Sequence, residues 1–270
     1  MLIDFHTHAF PDGIYKRTIE ILENNIKIHS GTELKAVGSG NIDGLVEDMK
    51  ANGIDISVVM PIATVPKQTD NIISFAEKVN NTVEGVYSFA SVHPLGENVE
   101  ATLDIIKEKG FIGIKLHPDY QDFYIDSKES LRVLRKCEEL GLMVILHTGH
   151  DHGCAPPRHC EPKRLSNLLG ELSCDNIIAA HMGGWKMWEE AQKYIINTPF
   201  WIDTSFSLHI LDKKTASDMI KAHGADKVLF GSDWPWYSPV ETYNMVMELD
   251  ISDEERSMIF YRNAKKLLGI

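Results

Sequence analysis

Short apolar or β-branched runs recur along the chain, bounded by Gly, Pro or polar residues, and longer amphipathic stretches separate them. The short runs predict strands at Leu2–Phe5, Ile56–Met60, Gly85–Ser91, Gly113–Leu116, Met143–Leu146, Ile177–Ala180, Phe200–Asp203 and Lys227–Phe230. The intervening stretches, among them GLVEDMKANG, NIISFAEKVNN, VEATLDIIKEKG and SKESLRVLRKCEELG, carry helical spacing. Gly53, Gly110, Gly141 and Gly224 stand where C-caps belong, and Ser252 with Glu255 reads as a capping box opening the last helix. Eight β-then-α units in 270 residues predict an α/β fold, a (β/α)8 TIM barrel, as one domain over residues 1–270. A doubly wound open sheet is the rival. Its nucleotide-binding form needs a glycine-rich turn after the first strand, and the GSG at Gly38 follows a polar loop instead.

Composition narrows the class. The chain is 43% hydrophobic and 24% charged, as a globular protein is. No run of 18 apolar residues exists to span a membrane, and MLIDFHTHAFPDG lacks the basic and apolar regions of a signal peptide. With 27 basic against 39 acidic side chains the net charge is −12, which argues against nucleic acid as a partner. Four cysteines and no export signal point to a reducing cytoplasm. The unusual number is histidine, at 12.

Where the histidines fall matters more than their number. His6 and His8 form an H-x-H pair at the end of the first strand, and positions i and i+2 of a strand share a side. At the C-terminal end of a barrel both imidazoles converge on the interior and can hold one metal ion. Strand five ends at His147, strand six at His181 and strand eight at Asp233, while strand four ends in Lys115 and His117. A single polar strand end is ordinary, a solvated terminus or a histidine satisfied by backbone. Five strands stopping at metal-competent or proton-transferring residues form a pattern. Imidazoles and a carboxylate suit zinc and similar divalent ions, with a position left for water.

This order, H-x-H…H…H…D, resembles the amidohydrolase superfamily, in its amidohydrolase-related branch that includes aminocarboxymuconate semialdehyde decarboxylase. The matching stretches are DFHTH, ILHTG, AAHMGG and LFGSDWP, with a terminal NAKKLLG, together spanning residues 4 to 269. The resemblance implies His6, His8, His147 and Asp233 as ligands of one divalent transition metal, zinc first, with manganese or iron as alternatives. It implies His181 as a residue that activates water or substrate, with Asp233 also accepting a proton. Binuclear relatives add a second ion held by the strand-six histidine and bridged by a carboxylated lysine or a glutamate from strand four. Lys115 stands open between that role, contact to a substrate carboxylate, and a salt bridge.

Other residues stay ambiguous. The loop HTGHDHGCAPPRHCEPKR after strand five reads as a lid offering Arg158 to a substrate carboxylate, as a surface loop stiffened by Pro156 and Pro157, or as a structural zinc site of Cys154 and Cys160. The last spacing departs from the usual pattern. A second long loop, from Ala9 to Gly40, is expected to hold a helix over the mouth. His93 reads as a solvated strand end or a pocket residue; His29, His209 and His223 read as structural or surface. Trp185, Trp234 and Trp236 flank the motifs as pocket walls or as packing.

The functional expectation is a metal-dependent hydrolase opening an ester, lactone or amide of a small, carboxylated molecule, with Lys115, His117 and Arg158 as substrate contacts. Non-oxidative decarboxylation at the same site is the alternative, because the branch holds both chemistries. A barrel that binds without catalysis fits less well, since no ligand position is lost. The branch's relatives are often dimers, which leaves a homodimer open.

Overall fold

A computed structural model describes residues 1–270. Eight strands follow one another around a closed wall: β1 (Ile3–Thr7), β2 (Ile56–Val59), β3 (Val86–Ser88), β4 (Gly113–Leu116), β5 (Met143–Leu146), β6 (Ile177–Ala179), β7 (Trp201–Asp203) and β8 (Val228–Leu229). All paired neighbours run parallel, β1 to β3 in one run and β4 to β8 in another. Single bridges join the runs. Ala90 pairs with Ile114 across β3 and β4, and Thr7 pairs with Trp234 across the seam where the first strand meets the last. The seam is reinforced by Phe5 N–H donating to Phe230 O at 2.8 Å and Asp233 N–H donating to His6 O at 2.9 Å. The expected barrel is the fold observed.

β4 and β5 match their apolar runs and β1 runs on to Thr7, while β2, β3, β6, β7 and β8 are shorter than theirs, because regular pairing stops where the chain bends into the βα loops. Those bends carry the chemistry. Helices α1 (Tyr15–Ser30), α2 (Ile42–Asn52), α3 (Thr69–Thr82), α4 (Val99–Glu108), α5 (Lys128–Leu140), α6 (Pro162–Leu165), α7 (Trp188–Tyr194), α8 (Lys213–His223), α9 (Pro239–Met247), α10 (Asp253–Ser257) and α11 (Asn263–Leu268) complete the chain. Gly53 and Gly141 end α2 and α5 in left-handed conformations, as their positions predict. The Ser252–Glu255 capping box forms. Gly224 caps α8 without the left-handed geometry, and α4 ends at Glu108 with Lys109, not Gly110, as its C-cap.

Two apolar layers surround the wall. Ile3, Phe5, Val58, Met60, Phe89, Ile145, Ile178 and Leu229 fill the barrel interior, and a larger cluster lies between wall and helices. The interior filling stops at the C-terminal ends of the strands, where buried polar groups take over. Helix α1, the extra element before α2, is different. Only Ile26 of its sixteen residues is buried, and it stands over the mouth. No helix is long and apolar enough to cross a membrane.

Candidate metal centre and cavity

His6 lies on β1 and His8 just beyond it, while Asp233 follows β8 with a left-handed backbone, φ +72°. Asparagine, aspartate and histidine tolerate that region best among non-glycine residues. His181, just after β6, shares it at φ +61°. The three side chains of His6, His8 and Asp233 converge, with Asp233 Oδ1 3.4 Å from His6 Nε2 and 3.1 Å from His8 Nε2.

The outer nitrogens decide what the inner ones can do. His6 Nδ1 lies 2.8 Å from Asp203 Oδ2, and His8 Nδ1 lies 3.0 Å from Met60 O. Both partners accept, so the ring protons are assigned to Nδ1 and each Nε2 presents a lone pair. Asp233 Oδ1 is buried and has no hydrogen-bond donor. Three acceptors therefore face one another within 4.8 Å, and the one donor in reach is Lys115 Nζ, 3.4 Å from His6 Nε2. A divalent cation satisfies such a set, and these donor types suit one.

The same logic extends to His147 and His181. His147 Nε2 lies 2.8 Å from His150 O, and His181 Nδ1 lies 3.1 Å from Ser205 O and 2.9 Å from Ser205 Oγ. Ser205 Oγ donates to Asp203 Oδ1 at 2.5 Å and so accepts from His181. The remaining pair, His147 Nδ1 and His181 Nε2, are again two acceptors, 3.0 Å apart. Burial, then the neighbouring ring or lysine, keeps His6, His147 and His181 neutral. His147 is pushed down to about 4, and His6 and His181 fall well below the ordinary histidine value.

A second grouping, His117, His147 and Asp151, looks similar by proximity. Its nitrogens are already engaged. His117 Nδ1 accepts from Tyr120 N–H at 3.2 Å, and its Nε2–H donates to Asp151 Oδ2 at 3.2 Å, while His147 Nε2–H serves His150 O. Burial alone would raise the Asp151 carboxyl, but the hydrogen bond from His117 and the adjacent His147 ring outweigh it and hold it far below the carboxylate range. His117 and Asp151 thus satisfy each other, and the His117 ring stacks on His147 with centroids 4.2 Å apart.

Lys115 is almost wholly buried, with Nζ 3.4 Å from His6 Nε2. Burial lowers its pKa to about 8, with Asp203 and Asp233 resisting the fall. Lys115, His117, His147, His181 and Asp233 all border one cavity of about 420 Å³, together with Trp185 and Trp236. Arg158 does not join them. Its Nε donates to His150 Nδ1 at 3.2 Å and its Nη1 to Cys154 O at 2.8 Å, and it borders an adjoining hollow beside His29 and Lys186, across His150, Asp151, His152 and Trp185 from the main cavity. Cys160 is packed into the outer core and Cys154 offers its carbonyl to Arg158, so the two thiols form no metal grouping. His93 receives the Leu95 N–H at 3.2 Å, and Trp234 is buried, donating to Asp48 at 2.6 Å.

Three residues with no role in the sequence reading prove central. Asp203, at the end of β7, orients His6, Ser205 and the His181 backbone N–H. Asp151 and Ser205 sit in loops whose sequence carries no spacing to reveal them. Asp203 had one visible signal, a lone acid ending an apolar strand.

Comparison with known proteins agrees with this architecture. The amidohydrolase family model Amidohydro_2 matches residues 3–270. The chain is similar to 5-carboxyvanillate decarboxylase LigW from Sphingomonas paucimobilis, at 14% identity, TM-score 0.70, with 100% of this chain and 99% of that one covered. A probable 2-pyrone-4,6-dicarboxylic acid hydrolase from Acinetobacter baumannii, solved with citric acid bound, is 16% identical at TM-score 0.69, covering 100% and 99%. A dihydroxybenzoic acid decarboxylase from Polaromonas sp. JS666, with bound manganese and 2-nitroresorcinol, is 17% identical at TM-score 0.68, covering 99% and 96%. No curated protein sequence matches the chain.

Proposed function

We propose that this chain, which belongs to the amidohydrolase family, is a metal-dependent hydrolase of a small carboxylated molecule, cleaving an ester, lactone or amide bond. The observation that carries the reading is the set of inward-facing acceptors with no proton assigned among them: His6 Nε2, His8 Nε2 and Asp233 Oδ1, with His147 Nδ1 beside His181 Nε2. His6, His8, His147 and Asp233 would hold the ion, zinc or manganese among the divalent candidates. Such an ion supplies Lewis acidity and makes water acidic enough to ionise near neutral pH.

The protein's own groups do the rest. Asp233 accepts a proton from the attacking water, and the open Nε2 of His181, neutral and buried, takes that proton on and passes it to the leaving group. Lys115, cationic below a pKa of about 8, pairs with the substrate carboxylate, and His117 flanks it. Carbonyls of Met60, His150 and Ser205 fix ring tautomers, so no group has to reorganise during the reaction.

Decarboxylation is the second reading, favoured by Lys115. An ammonium at the cavity floor would hold a carboxylated ring while carbon dioxide leaves, and a proton taken up from water at His181 Nε2 would pass to the carbon. Metal analysis of freshly purified protein, prepared without chelator, should find about one transition-metal ion per chain, lost in His6→Ala and Asp233→Ala. Bare wild-type protein would overturn the reading. A screen of lactones, esters, amides and carboxylated aromatics with added zinc or manganese separates the two reactions by acid release against carbon dioxide release.

A further inference from the structure

The cavity has a second end that the metal chemistry does not use. From His8 and Asp233 it continues without interruption between α1 and α3, where its walls are Ile14, Leu22, Ile26, Leu34, Ile72 and Phe75. Ile14, Leu22 and Ile26, with Thr18 between them, form one stripe at helical spacing along α1 and at its N-cap. A helix of this length in water depends on packing an apolar face, yet of this stripe only Ile26 is buried. The stripe faces a cavity.

The segment carrying α1 is built to hold that position. A bridge between Phe10 and Asn41 closes its base, and Asn41 Nδ2 donates to Asp12 at 3.0 Å. Glu23 reaches from α1 to Lys35 at 2.5 Å and to the Ala36 N–H at 3.1 Å. Val37 N–H donates to Pro235 O at 2.7 Å, two residues past Asp233. Ile19, on a different face of the helix, lies against Gly40, where a Cβ would meet it at 2.9 Å. Other contacts thus anchor α1, and its apolar stripe is left free for a ligand.

Size sets the occupant. A benzene ring fits a dry cavity of about 150 Å³, and this cavity is about 420 Å³. A single-ring acid seated at Lys115 leaves the arm unfilled. We propose that the natural substrate is amphipathic, with its carboxylate and scissile group at the metal end and a medium-length alkyl chain or second ring lying between α1 and α3. This rests on the proposed function in taking the metal end as the reacting end.

Binding of 4-alkylbenzoates, from methyl to hexyl, to metal-loaded protein tests it by calorimetry, with no turnover required. The dissociation constant should fall two- to fourfold per added methylene. Leu22→Trp, which fills the arm, should abolish that gain while leaving benzoate itself within about twofold. Thr18→Asp, at a half-exposed position that tolerates a charge, should do the same if Leu22→Trp fails to fold. A constant affinity across the series, no binding by any member, or an equal loss for benzoate and hexylbenzoate in Thr18→Asp would each overturn the proposal. A chain-length dependence without acid or carbon dioxide release in the screen would sink the reaction instead and leave the arm standing.

Discussion

Each imidazole at the barrel mouth is defined by the group behind it. Asp203 matters most, because it accepts from His6 Nδ1 and from Ser205 Oγ, which in turn fixes His181. Asp203→Asn keeps the shape but offers one acceptor and one donor, so His6 can no longer be held in a single tautomer. Metal affinity should fall about 10- to 100-fold, read by competition with a chelator of known affinity; an unchanged affinity would show that Asp203 does not orient the ligand. His223 gives a residue-scale case away from the site. It accepts the Asn197 N–H on Nδ1 and donates from Nε2 to Phe200 O at 2.9 Å, and burial lowers its pKa to about 4 from 6.5. Between those values the unfolded chain binds the proton and the folded one does not, so the stability from neutral His223 is complete above pH 6.5 and is lost as pH falls toward 4. His223→Gln should therefore lose roughly 2 kcal/mol less than wild type on going from pH 7 to pH 5 in urea titrations, and equal losses would contradict this. The strand-end histidines are legible in the sequence because strand periodicity places them. Asp203, Asp151 and the tautomer-setting carbonyls are not, since each acts on a residue far away along the chain.

At the scale of elements, the loops after β5 and β6 act as one piece. Gly149 N–H donates to Cys160 O, Trp185 N–H to Thr148 O, and His150 N–H to Trp185 O. Gly149 holds φ +90°, and a Cβ there would lie 2.4 Å from Trp185 N and 2.6 Å from Trp185 O. Neither backbone can retreat without breaking this ladder. Gly149→Ala should cost roughly 2 kcal/mol or more of stability, seen as a lower melting temperature, and should weaken metal binding by shifting the His150 carbonyl that holds His147. A variant melting within a degree of wild type would mean the loops yield independently. All eight strands were legible as short apolar runs between breakers, and the helix within residues 9–40 was legible as a helix. Its place over the cavity was not. That depends on Glu23, Val37 and Gly40 meeting partners that no local pattern specifies.

The whole molecule concentrates its asymmetry at the seam. His6 and His8 come from the first strand and Asp233 from the last, so one ion would tie the chain's two ends together across the barrel. Asp4 already works there without a metal, accepting from the Ser232 N–H at 2.9 Å and hydroxyl at 2.5 Å, although burial raises its carboxyl to about 7. The net charge of −12 describes the exterior and has no part in this, since the site is buried. An ion that binds only the closed barrel stabilises it by mass action, about 2.7 kcal/mol at a hundredfold excess over the dissociation constant. In a chain of this size each kcal/mol moves the melting temperature by about 2–4 °C. Stripping the protein with chelator should then lower its melting temperature by about 5–10 °C, and restoring zinc or manganese should recover it. His6→Ala should melt at one temperature whatever metal is added, because it keeps the fold but loses one of the two strand-one ligands. If wild-type protein melts identically with and without metal, the ions do not bridge β1 and β8, and the acceptors gathered there must be satisfied by protons instead.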